Sequence, residues 1–441
     1  MRSISRGVRW LLIAVALVAV AALAVPFLVP VASFIPEITR IASASLGQPV
    51  TIASLEAQLL PTPRVLAGGV RIGKRNEVLI GELEIVPELL SLFTGTRALR
   101  LVRAEQVELK EAALSIPERM PKGGDAVALR RLVLRDVRLQ HSALKLPPLD
   151  LDVRLGDGLD VERAQLSTRD GALKLFLDPN DAGKTLVKLE ARGWRLPLAA
   201  APLVFESLKA AGLLAGKRLE VSSIEGRLYG GTVRGSARAD WAKAWQVSGA
   251  TTLAGVDLVS VQRALGNEPR LSGKVGGNAK FAAMAKTVDL LVNALTIDGP
   301  FEVTDGIYRG VDLTKVGDLT GSKGAGDATR FDVLRGVLHL RGRQFRIDEL
   351  CAKSSALTAA GTVEVAPDHA LTGKLGVALT KTGGFVGVPV SLSGTLQDPV
   401  VRPSRGYTIG AIVGTVLLPG VGTALGASAG GAIEGRSGAC R

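Results

Sequence analysis

From Pro49 onward the chain alternates. Leu149–Asp–Leu–Asp–Val–Arg–Leu155 places an apolar residue at every second position, as do Leu173–Lys–Leu175, Val187–Lys–Leu189, Val363–Glu–Val365 and Leu375–Gly–Val–Ala–Leu379. Successive side chains of a strand point to opposite faces, so this period gives each strand one greasy and one polar face. Turn-forming pairs recur between these runs: Gly68–Gly69, Gly123–Gly124, Asp157–Gly158, Asp170–Gly171, Gly230–Gly231, Gly276–Gly277, Asp298–Gly299, Asp305–Gly306 and Gly383–Gly384. Their spacing predicts many short antiparallel strands joined by tight turns. Short helices are expected near Glu88–Phe93, Leu198–Leu214 and Asp257–Leu265, the last ending at Gly266 as a C-cap. Such a pattern usually folds as a sandwich or closed barrel. Here roughly 350 residues of it run on without an obvious linker, so one long, curved sheet with a continuous apolar face is more economical.

That face has to be buried against something. Hydrophobic residues make up 47% of the 441 residues, aromatics only 4%, and mean hydropathy is +0.28. A chain this apolar buries the excess in a core, a membrane or a bound ligand. The formal net charge is +13, which suits nucleic acid or an anionic membrane. Arg100, Arg103, Arg130, Arg131, Arg135 and Arg138 are interspersed with apolar residues rather than with aromatics. Nucleic-acid platforms need such aromatics, so no nucleic-acid partner is expected.

The first nine residues carry Arg2, Arg6 and Arg9, and Trp10 to Ile35 contains no charge. That run of roughly 26 residues exceeds the ~20 that span a bilayer as a helix. Arginines ahead of it hold the N-terminus inside and send the rest outward. Trp10, Leu11, Leu12, Leu17 and Phe27 are the expected anchor contacts. Ala22–Leu–Ala24 resembles a signal-peptide cleavage site, but apolar character continues about ten residues further, which favours a retained anchor. An amphipathic helix follows, with Ile35, Ile38, Ile41, Ala42 and Leu46 at helical spacing and Gly47 at its end.

The far end differs again. Tyr407 to Ile433 is uncharged and glycine-rich, interrupted by Leu418–Pro–Gly–Val421. Gly410 and Gly414 are four apart, as are Gly422, Gly426 and Gly430, a spacing that lets helices approach closely. Arms of about 10–13 residues are too short to span a bilayer alone. A helical hairpin that dips into a membrane or docks a partner is expected, with a disordered glycine-rich tail as the alternative.

Carboxylates are plentiful, but no spacing singles out an acid/base pair. His141, His339 and His369 share no metal-binding spacing, and His339, between Leu338 and Leu340, is expected on the polar face of a strand. Gly426–Ala–Ser–Ala–Gly430 has the form of a nucleophile elbow, yet no strand precedes it and no histidine follows. Gly183–Lys–Thr185 ends like a phosphate loop but has Asp178 where the first glycine belongs. Cys351 and Cys440 form neither a disulfide framework nor a zinc motif. No enzyme activity, metal or cofactor is expected.

Several phrases, taken in order, resemble the AsmA family of bacterial envelope proteins. Near the N-terminus they are the helix, Leu46–Gly–Gln–Pro–Val–Thr–Ile–Ala–Ser–Leu55, Leu60–Pro–Thr–Pro63 and Val86–Pro–Glu–Leu–Leu–Ser–Leu92. Near the C-terminus they are Asp257–Leu265, Arg270–Leu–Ser–Gly273, Asp305–Gly–Ile–Tyr–Arg–Gly–Val–Asp–Leu313, Phe331–Asp–Val–Leu–Arg–Gly336, Ala360–Gly–Thr–Val–Glu–Val365 and Val388–Pro–Val–Ser–Leu–Ser–Gly–Thr–Leu–Gln–Asp–Pro–Val400. The resemblance implies a single-pass inner-membrane anchor with the bulk of the chain in the periplasm. It also implies a U-shaped β-groove that shields the acyl chains of phospholipid moving toward the outer membrane.

The expected fold is therefore mainly β: an elongated, curved antiparallel sheet forming a U-shaped hydrophobic groove, with an N-terminal transmembrane helix and a C-terminal glycine-rich hairpin. Expected divisions are 1–36 anchor, 37–120 N-terminal module, 121–215 middle β region, 216–405 C-terminal β module and 406–441 tail. Leu149, Leu151, Val153, Leu155, Leu375, Val377 and Leu379 are the expected groove lining. Expected partners are phospholipid, the inner membrane and an envelope protein docked by the tail. The alternative function is a non-catalytic assembly factor or scaffold for outer-membrane proteins.

Overall fold

The computed structural model describes residues 35–58, 60–88, 98–115, 128–140, 146–156, 160–180, 183–196, 203–315, 327–380, 387–396, 398–405 and 440. The expected anchor and the tail glycines lie outside them, as do His141 and almost all of the helix expected at Glu88–Phe93. The described strands form one mostly antiparallel, 23-stranded sheet that does not close into a barrel. By contact, the chain divides into two compact units, Met1–Val187 and Lys188–Arg441. No helix among the described residues is long and apolar enough to cross a membrane.

The first unit opens with α1 (Ile35–Leu46). Gly47 takes φ +63°, the left-handed conformation that ends a helix without a Cβ penalty. Ile35, Ala42 and Leu46 pack onto Val50, Leu55, Ala67 and Val70, whereas Ile38 faces outward. β1 (Val50–Thr51) and β2 (Ser54–Gln58) both pair with β3 (Arg64–Ile72), which pairs with β4 (Val78–Pro87), and β4 with β5 (Ala98–Lys110). β5 then pairs in parallel with β6 (Ala128–Leu129) and β7 (Arg131–Gln140). Antiparallel order resumes through β8 (Leu149–Leu155), β9 (Val161–Thr168) and β10 (Leu173–Pro179). Val78, Ala104, Val107, Ala113, Val137 and Leu149 form the core beneath β4–β8.

After β11 (Thr185–Arg195), the second unit is a meander in which each strand pairs antiparallel with the next. It comprises β12 (Val204–Ala215), β13 (Arg218–Leu228), β14 (Gly231–Asp240), β15 (Trp245–Asp257), β16 (Leu271–Ala285), β17 (Thr296–Arg309), β18 (Ala328–Arg341), β19 (Gln344–Lys353), β20 (Leu357–Val365), β21 (Leu371–Leu379), β22 (Gly387–Gly394) and β23 (Pro399–Pro403). The short helix α2 (Leu258–Ala264) joins β15 to β16, as the sequence predicts. Asp257 caps it, its Oδ2 accepting from the Ser260 backbone N–H at 2.8 Å, and Gly266 at φ +76° follows it.

Two expectations are corrected. The helix expected over Leu198–Leu214 is β12 from Val204 onward. Its apolar residues fit a helical period, but β12 pairs with β13 from Phe205 to Ala215, so tertiary pairing overrides local propensity. Several expected turns lie inside strands: Gly68–Gly69 in β3, Gly276–Gly277 in β16, and both Asp298–Gly299 and Asp305–Gly306 in β17. Asp305 does adopt a turn-like φ of +53°, opposite a register shift between Ser272 and Lys274. It is a β-bulge, which uses turn chemistry to bend a strand without ending it.

Candidate binding face

Strand register in the second unit aligns apolar residues into rows that run from strand to strand. One row passes through Val256, Val275, Val303, Leu334, Ala352, Ala359, Val377 and Val388. Of these, Val256, Val303, Ala352, Ala359, Val377 and Val388 are buried, Val377 at 0% exposure. A second row passes through Gly212, Val221, Ala237, Gly249, Phe281, Ile297, Leu340, Phe345, Val365 and Leu371. Its members from Val221 to Phe345 are only half-buried, while Val365 and Leu371 are buried. Neither row contains a charge.

What differs is the cover. Leu258 of α2, Val311 and Leu313 pack into the cluster that contains Val303, Val377 and Val388. Hydrogen bonds hold these covering pieces in place. Gln262 donates to the Leu271 carbonyl at 2.6 Å and accepts from the Arg270 backbone at 3.0 Å, clamping α2 to the start of β16. Thr329 donates to the Val311 carbonyl at 2.8 Å and accepts from the Leu313 N–H at 3.0 Å. None of the second-row members Val221, Ala237, Gly249, Phe281, Ile297, Leu340 and Phe345 packs in that cluster.

Glycine shapes the half-buried row. A Cβ at Gly249 would strike the Phe281 ring, which lies across it from the neighbouring strand. Glycine here gives up side-chain burial so that an aromatic ring can lie flat against the sheet.

The opposite face is polar and cross-linked. Arg218 donates to Asp240 at 3.1 Å, Arg238 to Glu220 at 2.7 Å, and Arg341 to Asp298 at 2.9 Å. His339 lies on this face with Nδ1 2.7 Å from Asp298. Hydrogen bonds from Arg341, and then from His339, hold the Asp298 carboxyl below the usual carboxylate range. The Ala242 backbone N–H and Arg218 do the same for Asp240. Among the described residues no cluster could hold a metal ion.

Comparison with family models, with curated proteins and with solved structures found no match. The residues alone therefore carry the functional argument.

The expected groove residues fall on two strands, one in each unit. On β8, Leu149 and Val153 are buried, while Leu151 and Leu155 are part-exposed. On β21, Leu375 and Val377 are buried beside Val388 and Val390, and Leu379 is part-exposed. The half-buried row of Val221, Phe281, Ile297, Leu340 and Phe345 was not among the expected lining. Its trace in the sequence is the placing of Gly277, Ala279, Phe281 and Ala283 in β16, and of Ile297, Gly299 and Phe301 in β17, at every second position, hidden because the glycine pairs read as turns.

Cys351 of β19 is disulfide-bonded to Cys440, with Cα atoms 5.6 Å apart across a sequence separation of 89. The bond ties the penultimate residue to the sheet. Nothing in the spacing of two lone cysteines points to it.

Proposed function

We propose that this protein is a membrane-tethered carrier of phospholipid, of the AsmA kind, and that the apolar face of β13–β19 contacts acyl chains. The observation that carries the reading is the half-buried row from Val221 to Phe345: seven successive cross-strand positions without a charge, on a face whose other row is sealed. Exposed apolar patches of this continuity mark ligand or membrane contacts. Acyl chains suit such a surface because dispersion and burial need no hydrogen-bond partner, and the row from Val221 to Phe345 has no polar side chain to orient a polar ligand. The ion-paired opposite face keeps the other side of the same strands wet.

Three features support the surrounding picture. The uncharged run from Trp10 to Ile35 is long enough to anchor the chain. The Cys351–Cys440 bond suits an oxidising compartment such as the periplasm. Strand spacing of about 4.8 Å gives the meander β12–β23 of the second unit a span on the order of 50 Å, longer than an extended acyl chain.

The test is lipid retention. Protein extracted with mild detergent is expected to carry phospholipid by mass spectrometry, and Ile297→Glu is expected to empty it while leaving the fold intact. Wild-type protein free of lipid after such extraction counts against the reading and favours a scaffold. Val377 is unsuitable for this purpose, because a charge placed there attacks the core instead.

A further inference from the structure

The half-buried face ends at one edge of the meander, where the hairpin turns 216–217 and 241–244 and the connection 286–295 lie side by side. The Trp241 N–H donates to the Lys217 carbonyl at 3.0 Å, linking the first two turns. Trp245, the first residue of β15, is paired with Ala285, the residue before Lys286. Trp241 and Trp245 stack with ring centroids 5.3 Å apart and planes 18° apart. Two of the chain's four tryptophans thus occupy a single turn. Leu290, on the adjacent connection, is 45% exposed.

Charge at this rim is lopsided. Lys217, Lys243 and Lys286 are exposed and make no ion pair among the described residues. The neighbouring Asp240 is already neutralised by Arg218, which leaves Asp289 as the one opposing exposed carboxylate on these three connections. Core packing does not require paired tryptophans at a turn. Tryptophan with lysine is instead the pairing that suits a bilayer interface, where the indole lies among head groups and the ammonium meets phosphate.

We infer that this rim docks on the surface of an anionic phospholipid bilayer. The inference rests on the lipid-carrier reading and deepens it: Trp245 begins the strand that carries Val247 and Gly249 on the apolar face, so an acyl chain leaving the bilayer at the rim meets that face directly. Each lysine near an anionic surface strengthens binding about fivefold, and the attraction fades within a Debye length of about 8 Å at physiological salt.

The experiment uses the full chain in phosphatidylcholine nanodiscs, mixed with vesicles of phosphatidylcholine alone or with one lipid in three replaced by phosphatidylglycerol. Co-sedimentation measures capture, and extraction of the same samples measures bound lipid. Capture by the anionic vesicles only, weakened by salt, is expected. The Lys217→Glu/Lys243→Glu/Lys286→Glu variant should lose well over 100-fold in capture, because each reversal removes a roughly fivefold attraction and adds a repulsion, yet keep its bound lipid. The corresponding Gln variant should fall between, which separates charge from folding. Undiminished capture of the Glu variant overturns the inference, as does equal capture by neutral vesicles or none by either. Anionic capture by a wild-type protein that retains no lipid would leave the rim standing and remove the carrier reading.

Discussion

Two rows of the same meander carry the same kind of sequence and meet different fates. The row through Val303, Ala359 and Val377 is sealed by α2 and by Val311 and Leu313. The row through Val221, Phe281, Ile297 and Phe345 is left half-open. Alternation alone builds both rows, because it dictates only that one face is apolar. The covering pieces lie outside the strands and owe their positions to single polar residues, Asp257, Gln262 and Thr329. Whether a β-face becomes a core or a binding surface is decided in the connections.

The largest test of that contrast is a buried charge. Val377→Asp is expected to cost about 3–5 kcal/mol or to prevent folding, since an uncompensated carboxylate would enter a site with no water. Ile297→Asp on the open row should cost about 1 kcal/mol by denaturant titration. Equal losses would mean that the two rows are equally covered.

Next is Cys351→Ser. Loop closure across a separation of 89 residues is worth at most about 4–5 kcal/mol by the chain-entropy estimate. The loss should appear in the unfolding of the second unit and should leave lipid retention by the open row unchanged.

Phe281→Ala sharpens the comparison from the other side. Full burial of a phenylalanine is worth about 3–5 kcal/mol on truncation. A half-buried ring lying on Gly249 should give about 1–2 kcal/mol in thermal or chemical unfolding, together with weaker lipid retention. A loss at the top of the buried range would place Phe281 in a sealed core.

The smallest effect concerns pH. Asp298, Asp240 and Asp152 all have carboxyl pKa values held below the ordinary carboxylate value; for Asp152 the main cause is a hydrogen bond from Arg131. A lowered folded-state pKa gives stability that is complete above the unfolded value, near pH 4, and is lost as pH falls through the lower folded value. These groups are part-exposed, so solvent screens them and the contribution is small. Acid titration by circular dichroism should show stability flat above about pH 5 and declining below pH 4.

Much of the fold was legible because alternation is a strong constraint. Leu149–Leu155 is β8 residue for residue, and the C-cap glycine marked the end of α2 correctly. Strand length was less legible. Gly276–Gly277 and Asp305–Gly306 have turn chemistry, but their roles depend on what lies across the sheet, as at Gly306, where a Cβ would strike the Phe331 ring. The expected lining at Leu375 and Val377 followed the right period. It gave no account of the cover, because Leu258 and Leu313 are distant in sequence and nothing in β21 announces them.

The most direct measurement places a photoreactive phenylalanine analogue at Phe281 and, in a second protein, at Val388 of the sealed row. Crosslinking in native membranes is followed by lipid analysis of each adduct. Phospholipid adducts are expected at Phe281 and only intrachain adducts at Val388. Intrachain or protein adducts alone at Phe281 would contradict the carrier reading.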